Sequence, residues 1–306
     1  GPLQTICSPA ALNAVDANAF ALHPSHESGP YGHGLPGNFR IMMSASQFKG
    51  FAGVVLRGNR QGDPDDPLVL LVHGGGQTRH AWQGSAQVLA QAGWHAISVD
   101  LRGHGDSPVS EDEGDIDRFA DDLLALADAE GLERFDLCGV SLGGMVALAV
   151  AARQGDRVHR VVVSSTAASV APPPTGWNGR REAALKEGMA PLAGPMVERM
   201  FSAAFRETAD PLVGTLKTVF ERMSPTGYAN AVSILRDADL SERLARVLSP
   251  TLVIAGQQDP LCPPQKQQAL VDALPRAELA VLDCGHFPPV EQPAEFARLL
   301  LAWIRA

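Results

Sequence analysis

The stretch Gly139-Val140-Ser141-Leu142-Gly143-Gly144 constrains the fold of this chain more than any other. An apolar run from Phe135 to Val140 enters it and a helix-forming run from Met145 to Arg153 leaves it. The pattern predicts a strand, a sharp turn and a helix. In a turn of this kind the central residue takes a strained backbone, and glycine on both sides leaves the room that lets a serine hydroxyl stand exposed above a sheet. Ser141 is therefore the candidate nucleophile. With 30 Gly in 306 residues, a Gly-x-Ser-x-Gly arises by chance about 0.2 times in such a chain, so the surrounding pattern has to carry the assignment.

That pattern alternates. Phe39 to Ala45 and Phe51 to Arg57 read as an opening hairpin turning near Lys49-Gly50. The turn cluster Asp63-Pro64-Asp65-Asp66-Pro67 delivers Leu68 to Val72, an aliphatic strand suited to burial on both faces. His73-Gly74-Gly75-Gly76 follows at its carboxyl end. A helix over His80 to Ala92, a strand over Trp94 to Val99, a helix over Asp115 to Glu130, the elbow strand and a strand over Val158 to Ser164 come next. Strand–helix alternation predicts a parallel sheet with right-handed crossovers. The alternation stops at Ala167, where Pro172-Pro173-Pro174 breaks the chain. Helical patterns then follow one another over Arg181 to Met189, Pro195 to Phe205, Pro211 to Met223, Tyr228 to Asp237 and Leu240 to Val247. This predicts a helical cap over 167–248, set into an α/β core made of 39–166 and 249–306. A cap over the site favours compact substrates. The sheet resumes with Thr251 to Ala255, then a helix over Pro264 to Leu274, a strand over Glu278 to Leu282 and a last helix over Pro293 to Arg305.

Composition narrows the function classes. Lys+Arg 25 against Asp+Glu 34 gives a net charge of −9, which opposes binding to phosphate backbones and anionic lipid, so neither nucleic acid nor membrane is an expected partner. No stretch approaches the roughly 18 apolar residues of a membrane helix. Cys7, Cys138, Cys262 and Cys284 show no Cys-x-x-Cys spacing, so buried free thiols in a reducing, cytoplasmic setting are expected, without metal. Residues 1–38 are rich in Gly, Pro, Ser and His without periodicity and read as an irregular arm. His23, His26 and His33 are joined there by no carboxylate or thiol at a ligand spacing. Gly1-Pro2 in place of an initiator Met reads as a cloning remnant, and the arm lacks the basic start and apolar block of a signal peptide. Oligomeric state leaves no mark in the sequence.

Two further residues complete a chemistry around Ser141. Gly256-Gln257-Gln258-Asp259-Pro260 leaves one strand end and Asp283-Cys284-Gly285-His286 leaves another. Ser141, Asp259 and His286 thus all fall at carboxyl ends of expected strands, the edge where parallel sheets assemble their sites. A serine hydroxyl is a poor nucleophile at neutral pH. His286 would take its proton, Asp259 would hold the imidazole tautomer, and two backbone N–H groups, assigned to Gly75 and Leu142, would receive an oxyanion. The glycine run at 74–76 lacks the Lys-Ser/Thr of a phosphate loop. His104, in the polar loop Asp100 to Ser107, reads as a structural residue because His286 is better placed.

The order Ser, Asp, His on this frame resembles the α/β-hydrolase superfamily over residues 39–306. Leu137 to Met145, Trp177-Asn178-Gly179-Arg180, Leu185-Lys186-Glu187-Gly188-Met189, Arg236-Asp237-Ala238-Asp239-Leu240 and Val290-Glu291-Gln292-Pro293 are similar to 3-oxoadipate enol-lactonases. The segment His73 to His80 is more like general esterases, and Phe287-Pro288-Pro289 stands where Leu-Ser-Asn usually follows the histidine in the lactonases. The resemblance implies a mostly parallel eight-stranded sheet flanked by helices, and cofactor-free hydrolysis of a small carboxylic ester or lactone. It also implies that Trp177, Arg180 and Lys186 recognise a substrate carboxylate. Perhydrolases and carbon–carbon hydrolases use the same three residues, so they stand as alternatives. A serine in place of an aspartate nucleophile argues against dehalogenases and epoxide hydrolases.

Overall fold

The computed structural model of the protein describes residues 43–306. The arm over 1–38, with its histidines and Cys7, and the start of the first expected strand, 39–42, lie outside the described residues. One 8-stranded sheet carries the fold, in the spatial order β1-β2-β4-β3-β5-β6-β7-β8. The strands are β1 (Ser44–Lys49), β2 (Val55–Gln61), β3 (Leu68–Val72), β4 (His95–Val99), β5 (Phe135–Val140), β6 (Val158–Ser164), β7 (Thr251–Gly256) and β8 (Ala277–Leu282). β2 pairs antiparallel with both β1 and β4, and every other pairing is parallel.

The central strands are buried on both faces, which is why they read as unbroken aliphatic runs. In β3, Leu68, Leu70 and Val72 enter one hydrophobic core while Val69 and Leu71 enter the other. Helices α1 (Gln83–Gln91), α2 (Ile116–Ala129) and α3 (Leu142–Arg153) follow β3, β4 and β5. α2 and α3 pack on the first face through Phe119, Leu123, Met145 and Val146. α2 starts where the Asp115 carboxylate accepts the Arg118 N–H at 2.9 Å. α3 is buried from Leu142 to Ala151, as expected of a helix apolar all round.

Between β6 and β7 the chain runs through α4 (Gly176–Glu187), α5 (Ala190–Met200), α6 (Ala203–Thr208), α7 (Asp210–Glu221) and α8 (Pro225–Asp237). α9 (Pro264–Ala273), α10 (Pro288–Glu291) and α11 (Pro293–Arg305) complete the chain. α1 and α11 cover the second face through Leu89, Phe296 and Leu300.

Several boundaries differ from the sequence reading. The first two strands lie a few residues later than expected, because only Phe48 of β1 is buried among hydrophobics and an edge strand with one buried side chain carries little periodicity. Phe51 does not open a strand. It begins a one-turn 3-10 segment in which Ala52 takes φ 55°. The helix expected from His80 is a 3-10 turn over Arg79–Trp82 before α1 starts. The single helix expected over Pro195 to Phe205 is two, since Phe201 is extended at φ −120°, ψ 144°. Ser202 then caps α6, its Oγ accepting the Phe205 N–H at 3.2 Å. Leu240 to Val247 forms 3-10 turns over Ser241–Arg246.

Buried polar groups fix the loops at the carboxyl edge of the sheet. Asp100 accepts the Arg79 backbone N–H at 2.7 Å and the Asp106 N–H at 3.0 Å, and it pairs with the Arg79 guanidinium. His73 faces the Gly74 carbonyl with Nδ1 at 2.8 Å and receives the Leu101 N–H on Nε2 at 3.0 Å. This pattern requires a neutral ring, with the proton on Nδ1. His104 lies beside it, ring centroids 5.0 Å apart. Burial, opposed by the bond to Gly74, lowers His73 from 6.5 to about 4. Burial and the neighbouring His73 lower His104 to about 3.

Both rings therefore stay neutral in the folded chain at pH 5, whereas in the unfolded chain each binds a proton below its ordinary 6.5. The unfolded state gains protons, so this contribution to stability is lost as pH falls below 6.5 and is constant above it. Asp136, raised by burial to about 7, acts in the opposite sense over the same range, so the histidine effect is best read by difference. Between pH 7 and pH 5, urea unfolding of the wild type should lose about 2 kcal/mol more than that of His104→Gln. Equal losses would mean that His104 titrates normally in the folded protein.

Candidate active site

The site begins with backbone geometry at Ser141, which takes φ 53°, ψ −118°, a region that a side chain rarely occupies. Its neighbours make the turn possible. A Cβ on Gly139 would lie 2.2 Å from the Gly143 carbonyl oxygen, and a Cβ on Gly143 would lie 2.2 Å from the Val72 carbonyl oxygen. Only glycine lets β5, α3 and β3 come this close. The turn is tied down from β6: Ser141 N–H donates to the Ser164 carbonyl at 2.9 Å, and Thr166 Oγ1 donates to the Ser141 carbonyl at 2.8 Å. Gln267 clasps Thr166 in turn, accepting its N–H at 3.4 Å and donating to its carbonyl.

The loops after β7 and β8 bring two side chains to this serine. Ser141 Oγ lies 3.0 Å from His286 Nε2, and His286 Nδ1 lies 2.8 Å from Asp259 Oδ2. The other carboxylate oxygen, Oδ1, accepts the N–H groups of Leu261 at 2.8 Å and Cys262 at 3.0 Å. His286 and Asp259 are 2% and 3% exposed, so bulk water does not compete for these bonds. Burial alone would raise the Asp259 carboxyl, but the His286 imidazole and the two N–H donors outweigh it and hold the group below its ordinary value. With Asp259 ionised, the Nδ1 position of His286 carries the proton and Nε2 is left to accept one from Ser141.

The two expected anion donors also come together. Gly75 lines the same cavity as Ser141, and a Cβ on Gly75 would lie 3.9 Å from the Leu142 side chain. Leu142 is the first residue of α3, so its N–H has no carbonyl one turn back. Cys262 adds a third donor type near the pair: Asp259, Cys262 and His286 offer ligand atoms all within 4.8 Å of one another. Asp259 and His286 already satisfy each other, however, and burial together with the Asp259 charge pushes the Cys262 thiol up to about 12. The trio is thus a hydrogen-bonded pair beside a protonated thiol.

A cavity of about 360 Å³ stands over Ser141, walled by the sheet loops on one side and by α4, α5 and α8 on the other. Trp177 and Arg180 line it, as the sequence reading required, but Lys186 does not. Six residues along α4 turn Lys186 about 120° away from Arg180. Its Nζ pairs with Glu182 at 2.9 Å, with the lysine side chain 72% exposed. The sequence reading missed Arg199 and Lys266 and took Tyr228 mainly for cap core with one face roofing a pocket; all three line the cavity. Arg180 Nε donates to the Tyr228 hydroxyl at 2.5 Å, which joins two residues of the cavity lining. Burial and the nearby Arg180 charge hold Arg199 below the usual arginine range. Neither arginine has a carboxylate within 4.0 Å among the described residues. Nothing local marks Arg199 as different from the solvated arginines of the insert, and a sequence carries no sign of which cations share a cavity.

A family model described as alpha/beta hydrolase fold matches residues 67–293. The chain belongs to the α/β-hydrolase fold family. It is 31% identical to 3-oxoadipate enol-lactonase 2 of Acinetobacter baylyi over 77% of this chain and 87% of that one. An enol-lactonase from Burkholderia xenovorans superposes with a TM-score of 0.82 at 27% identity, covering 85% of this chain and 100% of that one. A thermophilic esterase from Thermogutta terrifontis, solved with malate bound, superposes with a TM-score of 0.78 at 28% identity, covering 86% of this chain and 98% of that one.

The backbone at Ser141 implies a trade of stability for geometry. Ser141→Ala keeps a Cβ in the unfavourable conformation, whereas Ser141→Gly removes it. Thermal or urea unfolding should therefore show Ser141→Gly more stable than Ser141→Ala by about 1 kcal/mol. An alanine variant as stable as the glycine variant would mean that the turn relaxes once the hydroxyl is gone.

Proposed function

We propose that this enzyme, a carboxylic ester hydrolase, cleaves a compact ester or lactone that bears a carboxylate, through an acyl-enzyme on Ser141. The observation that carries the reading is one cavity holding two features. Ser141 Oγ and His286 Nε2 lie 3.0 Å apart at the floor, and Arg180 and Arg199 line the same space without a carboxylate partner among the described residues. Two half-buried cations lying near each other gain from an anion that joins them, and guanidinium groups suit a planar carboxylate. The relatives named as enol-lactonases and esterases support the ester or lactone chemistry. The malate bound to the Thermogutta esterase is a small carboxylate, the class of ligand that two arginines in a compact cavity would favour.

The steps follow from proton positions. His286 Nε2 takes the Ser141 hydroxyl proton as Oγ attacks the substrate carbonyl, and Asp259 stabilises the imidazolium that forms. The oxyanion of the tetrahedral intermediate receives hydrogen bonds from the N–H groups of Gly75 and Leu142, at the positive end of α3. Collapse breaks the carbonyl carbon–alkoxy oxygen bond, and His286 returns its proton to the leaving oxygen. For a lactone that oxygen stays attached to the acyl group. Water then repeats the sequence, attacking the acyl carbon while His286 takes its proton, and the acid is released with Ser141 restored. The helical insert serves as a cap that keeps the cavity compact and relatively dry, which strengthens each of these interactions.

A fluorophosphonate should label the wild type at Ser141 and leave Ser141→Ala unlabelled, with hydrolysis of p-nitrophenyl butyrate lost in the same variant. Labelling at another residue would sink the assignment. Carboxylate recognition has its own signature. Arg180→Gln and Arg199→Gln should raise KM for acid-bearing esters by about 10- to 100-fold, the equivalent of roughly 1.5–3 kcal/mol for a charge-assisted bond. Neutral esters should be unaffected. Equal losses on charged and neutral substrates would assign the arginines to holding the cap.

A further inference from the structure

Glu291 is a half-buried carboxylate with no cationic partner among the described residues, yet four hydrogen bonds converge on it. Its Oε1 accepts the N–H of Gly285 at 2.9 Å and that of Ser202 at 3.2 Å. Its Oε2 accepts the Ser202 hydroxyl at 2.6 Å and shares the Ser202 N–H at 3.3 Å. These donors come from two segments of different origin. Gly285 immediately precedes His286, while Ser202 sits at the break between α5 and α6 in the insert. A further bond crosses the same joint, from the His286 N–H to the Met200 carbonyl at 2.8 Å. The joint has no slack. A Cβ on Gly285 would stand 2.6 Å from Glu291 Oε1, 2.8 Å from Ser202 N and 3.0 Å from the Met200 carbonyl oxygen. Phe287 closes it from the side, with ring centroids 5.7 Å from Phe201 and 5.2 Å from His286.

We propose that Glu291 is a positioning residue that fastens the insert to the loop carrying His286, so that the imidazole reaches Ser141 only while the insert is seated. This rests on the reading of His286 as the base for Ser141. The α5–α6 break acquires a purpose in these terms: a continuous helix would keep the Ser202 N–H within its own ladder and leave Glu291 without its donors from the insert. A carboxylate suits this point because both of its oxygens accept, from the N–H groups of Gly285 and Ser202 and from the Ser202 hydroxyl. An amide keeps only one accepting oxygen: its N–H₂ would face the Ser202 hydroxyl, which already accepts the Phe205 N–H at 3.2 Å and would have to turn from donor to acceptor, so the joint would lose the bond from Ser202 Oγ and the acceptor that Oε2 offers the Ser202 N–H. Displacement of a base by even about 1 Å costs up to about 100-fold in rate, so a loosened joint should slow chemistry without weakening substrate binding.

The test uses the full chain and its Glu291→Gln and Ser202→Ala variants, with p-nitrophenyl acetate as a small neutral ester and a fluorophosphonate as the label for Ser141. In Glu291→Gln, kcat and the rate of Ser141 labelling should fall together by on the order of 10- to 100-fold, with KM changed by less than about two-fold. Ser202→Ala, which removes one donor, should show a smaller loss of the same kind. A drop in thermal midpoint with kcat and labelling unchanged would overturn the proposal, and so would a loss confined to KM. If Glu291→Gln does not fold, Ser202→Ala decides by the same criteria. A wild type that is not labelled at Ser141 overturns the hydrolytic reading itself. A labelled wild type with unaltered variants overturns only the joint.

Discussion

The close backbone approach at Ser141 is the constraint on which the rest of this structure depends. A serine at φ 53° holds its conformation only if the surroundings leave it no alternative, and they do so from three strands. β5 supplies the turn, β3 presses its carbonyl against Gly143, and β6 captures the N–H of Ser141 while Thr166, in the loop leaving β6, captures its carbonyl. Each contact excludes a side chain larger than hydrogen or demands a donor at one place. The parallel sheet is therefore more than a platform, since its strand order puts β3 and β6 on either side of β5 and supplies these constraints from both flanks.

Charge is distributed on the same logic. Away from the cavity, Asp100 is met by Arg79 and two backbone N–H groups, and Asp122 by Arg102 at 2.6 Å and by the Phe51 N–H at 2.9 Å. His73 is kept neutral by burial, and its two bonds suit a single tautomer. In the cavity, Arg180 and Arg199 are near enough to feel each other's charge, and neither has a carboxylate within 4.0 Å among the described residues. On the proposed function, the carboxylate of a substrate would complete the electrostatics there.

The insert also does more than cover the sheet. It reaches the loop of His286 through Met200 and Ser202, and it reaches the cavity through Trp177, Arg180, Arg199 and Tyr228. On the proposed function, substrate recognition and the placement of the imidazole would both be carried by this group of helices. A shift of α5 relative to the sheet would alter both together, a coupling that follows from the hydrogen bonds alone.

The parts of this protein that were legible in its sequence are those encoded by neighbouring residues. Aliphatic runs such as Leu68 to Val72 mark strands buried on both faces, and glycines at 139 and 143 mark a turn that no other residue can make. A carboxylate and an imidazole just beyond strand ends mark Asp259 and His286, since a strand end fixes which edge of the sheet a residue occupies. The first strand was misplaced because one buried Phe48 gives no period to read. Lys186 and Arg199 show the deeper limit. Both are cations on insert helices, and what separates them is the rotation of each helix about its axis and the angle at which it meets the sheet. Those are set by packing between segments far apart in the chain, where Met200 and Ser202 meet Gly285 and Glu291. Only the tertiary structure decided that Lys186 turns to solvent while Arg199 turns to the cavity, because a helix has a face only once something is packed against it.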